Sequence, residues 1–212
     1  GNGRGLRTGG EIIVRTESVL LQSLCVPCFN HCRHCLLSWN GSAEGAPWER
    51  SLITAERFLN ELRRMKPDIT GSFAFGYAMD HPKLAEALRT LRALGSPQAE
   101  LLQCDGMKMR QEAKCLELMR MLLAEGVRRL NFTFYGNADY HDRFAGRPGD
   151  YLLLFRMMKA ARNVGLPFST GIMLTCENVS QINDLTGRLR EAGSEKIILI
   201  VPHGEGRGKQ LA

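Results

Sequence analysis

The chain has 212 residues, 44% of them hydrophobic, with 28 Lys and Arg against 22 Asp and Glu for a formal charge of +6. That length holds one sizeable core and is too short for two comfortable domains; the cations fall in scattered doublets such as Arg63-Arg64 and Arg128-Arg129, without the aromatic-laced basic stripe that binds nucleic acid. Seven cysteines, no secretory signal and no apolar run of about 18 residues predict a soluble cytoplasmic protein without membrane spans, in whose reducing compartment clustered thiols bind metal more often than they pair.

Residues 1–17 are expected to form a flexible segment and 18–212 the core domain. The start, Gly1-Asn2-Gly3-Arg4-Gly5, lacks an initiator Met and is rich in Gly, which reads as a processed product or a fragment. Val19 to Leu24 reads as a strand, and a cysteine-bearing loop follows it directly. Phe58, Leu59, Leu62 and Met65 then mark one face of a helix that Pro67 ends. Ile69 to Phe75 is the second strand. Asp80 is placed to cap a helix that takes Pro82 in its first turn and carries Leu84, Leu88 and Leu91 to Gly95. Strands at Glu100 to Gln103, Leu130 to Phe134, Phe168 to Leu174 and Lys196 to Val201 alternate with helices near 112–125, 149–164 and 179–192. Asn178 and Gln181 resemble a capping box on the last helix.

Six strands alternating with five helices predict parallel βαβ units. The fold class is α/β, a partial (β/α)6 TIM-like barrel whose sheet is open or strongly curved. Its ligand side lies at the carboxyl ends of the strands. There the cysteine loop meets Gly76-Tyr77, Asp105-Gly106, Tyr135-Gly136, Thr175-Cys176 and Pro202-His203-Gly204.

Cys28, Cys32 and Cys35 stand in the run Cys28-Phe29-Asn30-His31-Cys32-Arg33-His34-Cys35. Three thiolates at CxxxCxxC spacing can hold three irons of a cubane cluster and leave the fourth without a protein ligand. The competing reading is a structural zinc site that recruits Cys25 with His31 or His34, although thiols this close crowd a tetrahedral site. Cys25 itself and Cys115 read as packing residues, and Cys104 and Cys176 as core rather than rim thiols. His81 reads as part of a helix start, and His141-Asp142 as a loop-ordering pair rather than an acid/base pair.

With its cysteine loop after the first strand of repeated βα units, the chain resembles the radical S-adenosylmethionine superfamily from about Val19 to its end. The resemblance implies a [4Fe-4S] cluster on Cys28, Cys32 and Cys35, with S-adenosyl-L-methionine chelating the open iron. Reductive cleavage would give a 5′-deoxyadenosyl radical that abstracts hydrogen from the substrate. A reductant such as flavodoxin or ferredoxin is the implied partner. By the same resemblance His34 lies against the adenine. Phe75-Gly76-Tyr77-Ala78 stands where the family commonly has Gly-Gly-Glu-Pro, so Gly76 and Tyr77 fall beside the ligand's ammonium. In Asn131-Phe132-Thr133-Phe134-Tyr135-Gly136, Thr133 and Tyr135 fall near the ribose, Tyr135 in place of an acid. Arg143 and Arg147 are the arginines available to pair with the ligand's carboxylate, and Arg147 is taken as the candidate.

The tail Val201-Pro202-His203-Gly204-Glu205-Gly206-Arg207-Gly208 looks like the turn that closes the sixth strand in members carrying a C-terminal auxiliary-cluster module. Many of those enzymes modify peptides, so the resemblance suggests a peptide substrate and a core domain truncated before that module. Tyr77 and Tyr135 in place of acids support the alternative, a cluster- or ligand-binding protein of this fold with lost or reduced catalysis.

Overall fold

The computed structural model describes residues 18–23, 28–35, 48–67, 70–75, 79, 83–95, 100–202 and 204–211. The expected flexible segment 1–17, together with Cys25, Gly76, Tyr77, Asp80, His81, Pro82 and His203, lies outside the described residues.

Strands and helices alternate along the chain: β1 Ser18–Ser23, α1 Trp48–Met65, β2 Thr70–Phe75, α2 Leu84–Ala93, β3 Leu101–Gln103, α3 Glu112–Ala124, β4 Arg129–Phe134, α4 Ala138–Ala145, α5 Asp150–Asn163, β5 Phe168–Met173, α6 Ile182–Glu191 and β6 Ile197–Ile200. All the strand pairings are parallel, β1 with β2 and then β3-β4-β5-β6 as an open four-stranded sheet. This is the partial barrel expected, with one difference: among the described residues no pairing joins β2 to β3, so the sheet is divided there.

Side-chain periodicity explains the core. On β4, Leu130, Phe132 and Phe134 are fully buried and pack with Phe168 and Ile172 of β5 against the helices. α3 adds Cys115, Leu118, Met119 and Leu122, and α5 adds Leu153, Leu154, Met157, Met158 and Ala161. Both sets recur at three- and four-residue steps, the spacing of one helical face. On the opposite side, the centre of the sheet is polar. Gln103, Asn131 and Ser169 stand side by side across β3, β4 and β5, and Asn131 bonds both neighbours, donating to Gln103 Oε1 at 2.6 Å and accepting from Ser169 Oγ at 3.0 Å. A packed barrel interior is normally filled by branched apolar side chains; hydrogen-bonding groups here make this wall one that can receive a polar ligand.

Three expectations are corrected. α1 turns Ala55 and Leu59 inward with Leu62 beside them, whereas Phe58 and Met65 are exposed, because the buried stripe follows steps of four and three from Ala55. α2 starts at Leu84 with Lys83 at its cap position and no side-chain cap bond. The expected loop after β4 contains α4, capped by Asn137 Oδ1, which accepts from Tyr140 N at 3.0 Å, and closed at Gly146. An Asn and a Gly bracketing eight residues are helix start and stop signals, and the helix escapes a periodicity search because it is barely two turns long.

Candidate active site

The cysteine loop is held by backbone bonds to three separate places. Phe29 N donates to Gly106 O at 2.8 Å, His31 N to Ala145 O at 2.7 Å and Arg33 N to Phe144 O at 2.9 Å, while Cys35 O accepts from Arg207 N at 3.1 Å. The loop therefore spans the carboxyl end of β3, the end of α4 and the turn after β6. Two glycines let it approach so closely. A Cβ on Gly106, at φ +70°, would lie 2.5 Å from Cys28 Sγ, and one on Gly146 would lie 2.8 Å from His31 O.

Beneath the loop sits a buried polar network. Asn30 Nδ2 donates to Asp150 Oδ2 at 3.0 Å, and Arg147 Nη1 donates to Asn30 Oδ1 at 3.1 Å and lies 3.5 Å from Asp150 Oδ1. His141 Nδ1 accepts from Tyr135 N at 3.3 Å, which leaves Nε2 to carry the proton and donate to Asp150 Oδ2 at 3.3 Å. Asn30, His141, Arg147 and Asp150 are all buried, so the carboxylate is compensated by one guanidinium and two neutral donors. His141 and Asp142 do order the loop, as expected, but by separate routes: Asp142 accepts from the backbone N–H groups of Gly149 and Tyr151, the latter at 2.9 Å, at the start of α5.

The thiols lie in a low-dielectric setting. Burial pushes Cys28 up to about 11, with Asp105, Cys35 and Asp150 adding to it against an opposing backbone bond at Asn30. Burial likewise pushes Cys32 up to about 12, against the lowering effect of the Tyr135 hydroxyl, which donates to Cys32 Sγ at 3.4 Å. Tyr135 stacks on Phe144 with ring centres 4.5 Å apart, and His34 stacks on the same ring at 5.6 Å. Burial, then Arg207, lowers His34 to about 4, so the imidazole is neutral. Its Nδ1 is buried without a partner among the described residues.

Deeper in the barrel, Asp105 Oδ1 accepts from Thr133 N at 3.1 Å, and its Oδ2 accepts from Gln103 Nε2, which also donates to Thr133 Oγ1 at 2.9 Å. Burial raises the Asp105 carboxyl to about 7, against the lowering effect of these bonds. Asn178, fully buried, ties the rim together by donating to Tyr135 O and Met173 O, both at 2.6 Å, and accepting from Thr175 N at 2.9 Å. It is a staple between β4 and β5 rather than half of a capping box; Gln181 Oε1 instead accepts from Asn137 N at 2.8 Å.

The family model of the radical SAM superfamily matches residues 24–189. The chain belongs to the radical SAM superfamily. Its fold is shared with SuiB of Streptococcus suis, solved bound to its precursor peptide SuiA, at a TM-score of 0.62 and 13% identity over 89% of this chain and 40% of that one. The same enzyme bound to S-adenosylmethionine gives 0.62 and 13% over 89% and 41%. Coproporphyrinogen III oxidase HemN of Escherichia coli, a radical SAM enzyme, gives 0.58 and 15% over 93% and 48%. In sequence, 93 residues are 29% identical to an AdoMet-dependent heme synthase of Methanosarcina barkeri, over 42% of this chain and 27% of that protein. The chain thus spans under half the length of each of these proteins.

Within this radical SAM chain the structure brings Cys28, Cys32, His34, Cys35 and Tyr135 to one rim, with Thr133 one layer below. Tyr135 is buried, with its hydroxyl on Cys32 Sγ. Arg147 contacts Asn30 and Asp150 under the loop. Cys104 and Cys115 are buried in the core as expected, whereas Cys176 is exposed. Among the described residues no three His, Cys, Asp or Glu side chains converge where a single metal ion would sit. A cubane cluster asks for something else, one thiolate on each of three irons. The residues fit it: three thiols on a loop anchored at three places, a glycine cradle against Cys28, and an Arg207 Nη2 that is buried with no acceptor among the described residues.

The sequence reading missed Asn30, Asp150, Asn178 and Arg207. Asn30 lies inside the cysteine motif and Asp150 in the first turn of a helix, a favoured place for a carboxylate. Nothing local signals that they meet.

Proposed function

We propose that the chain binds a [4Fe-4S] cluster through Cys28, Cys32 and Cys35, binds S-adenosylmethionine at the iron these thiolates leave open, and cleaves it reductively to a 5′-deoxyadenosyl radical that abstracts hydrogen from a substrate. The observation that carries this reading is the anchoring of the CxxxCxxC loop at the carboxyl ends of the strands, over a polar interior wall. When bound, the cluster supplies the electron and the open coordination site. The chain's own residues do the rest. Cys28, Cys32 and Cys35 lose their protons to become ligands. The network of Asn30, Asp150, Arg147 and His141 fixes the loop from below. Thr133, Asp105 and Gln103 offer hydrogen bonds facing the interior. The low-potential donor is a flavodoxin- or ferredoxin-type protein in a reducing cytoplasm.

A peptide is the substrate class, supported by the Gly206-Arg207-Gly208 turn and the shared fold with the peptide-bound SuiB. The 29% identity to the heme synthase favours a second reading of the substrate, a haem-type macrocycle. No helix among the described residues is long and apolar enough to cross a membrane. The test is anaerobic reconstitution, iron and sulfide analysis, then reduction in the presence of S-adenosylmethionine with 5′-deoxyadenosine quantified. A reduced, intact cluster that yields no 5′-deoxyadenosine would overturn the catalytic reading, and zinc without iron or sulfide in protein purified without air would overturn the cluster.

A further inference from the structure

We propose that Arg207 is a positioning residue of the cluster site: it clasps the cysteine loop from the C-terminal side and donates a hydrogen bond to the bound cluster, setting its reduction potential. The clasp stands on the loop geometry alone, whereas the donation rests on the cluster reading above.

Arg207 binds the carbonyls of two of the three motif cysteines. Its backbone N–H donates to Cys35 O at 3.1 Å and its Nε to Cys32 O at 2.8 Å. The first cysteine, Cys28, is cradled from the other side by Gly106. In a guanidinium, Nε and Nη2 form one edge of a planar fork, so a donor at Nη2 faces the same way as the bond to Cys32. That Nη2 is buried and has no acceptor among the described residues. Buried donors in folded proteins almost always have a partner, and each exception calls for one. Sulfides and thiolates of a cluster held by the loop are acceptors of the right charge.

The surrounding charges make this cation count. The carboxylate of Asp150 lies beneath the loop and accepts from Asn30 Nδ2 at 3.0 Å. Arg147 is already committed to Asp150, and Arg33 is held out in solvent by a two-pronged bond to Glu177, at 3.1 Å on each arm. Arg207 places its guanidinium on the loop backbone at Cys32. Hydrogen bonds to the sulfurs and local net charge are what set the potential of such a cluster.

The experiment compares the full chain with Arg207→Gln and Arg207→Lys. Amide hydrogen exchange of the peptide covering residues 28–35 is measured on cluster-free protein, and the midpoint potential of the reconstituted cluster is measured by redox titration followed by electron paramagnetic resonance. No substrate is required. Both variants are expected to exchange faster over 28–35, since neither side chain can hold Cys32 O as the fork does. The cluster of Arg207→Gln should titrate at a more negative potential than wild type, because a positive charge on the loop is lost, while Arg207→Lys should stay close to wild type. Unchanged exchange in both variants would overturn the clasp, and an unchanged potential in Arg207→Gln would overturn the donation. Failure of the wild-type chain to assemble any cluster would remove the donation together with the cluster reading and leave the exchange measurement to decide the clasp.

Discussion

Replacing Asp150 by Asn removes a buried carboxylate from beneath the cysteine loop while keeping its shape. Asp150 accepts from Asn30 Nδ2 at 3.0 Å and His141 Nε2 at 3.3 Å and lies 3.5 Å from Arg147 Nη1, and it is 1% exposed. With the charge gone, the buried Arg147 guanidinium loses the carboxylate that lies 3.5 Å from it. Breaking such a pair from one side costs about 3–5 kcal/mol, against roughly 0–1 kcal/mol for an exposed pair. The bidentate Arg33–Glu177 bridge, with side chains 43% and 55% exposed, supplies the internal control through Glu177→Gln. With a urea slope of about 2–3 kcal/mol per molar, Asp150→Asn should lower the unfolding midpoint of the cluster-free protein by roughly 1–2 M at constant slope, and Glu177→Gln by a few tenths. The double change Arg147→Met with Asp150→Leu should recover most of the loss, because it removes both charges together. A midpoint for Asp150→Asn within the range of the Glu177→Gln control would refute the reasoning, as would a double variant no better than the single one.

Further outcomes follow from the same geometry. Gly106→Ala should lose most of its cluster iron after reconstitution, since the added Cβ would lie 2.5 Å from Cys28 Sγ, whereas Gly165→Ala, equally left-handed at φ +74° but with nothing within 4 Å, should lose only about 1–2 kcal/mol of stability and keep its iron. Tyr135→Phe deletes the donor on Cys32 Sγ and should shift the cluster potential to a more negative value in a redox titration; an unchanged potential would show that the hydroxyl leaves the thiolate once iron binds. Asp105, ordinarily near 3.8 and raised by burial to about 7, keeps its proton in the folded chain where the unfolded chain has lost it, so stability should fall as pH rises from about 4 to about 7. Asp105→Asn should remove that part of the slope in urea titrations across this range, and a slope identical to wild type would count against a raised carboxyl.

Six strands lie within one or two residues of where alternating apolar runs and helix-closing glycines put them, because both signals are local. Leu130, Phe132 and Phe134 announce a strand face by themselves, and Gly95, Gly126, Gly165 and Gly193, each standing between a helix and the next strand, all have the positive φ that closes a helix. The rim position of the cysteine loop followed from chain order, since parallel units place every strand-to-helix loop at one end. What the side chains touch is another matter. Motif position does not say that the Tyr135 hydroxyl donates to Cys32 Sγ, or that Arg147 Nη1 donates to Asn30 Oδ1 and lies beside Asp150.

The sequence by itself determined the α/β alternation, the three cysteines and the side of the sheet on which they lie. These depend on spacing between near neighbours, and near neighbours are fixed by the backbone. Tertiary structure alone decided what holds the loop. Asn30 meets Asp150 across 120 positions, and Arg207 meets Cys32 across 175. Such contacts arise only when successive crossovers bring the ends of β3, β4 and β6 to one rim, and there burial turns ordinary polar residues into obligatory partners, since each must find a hydrogen bond inside a medium that offers no water.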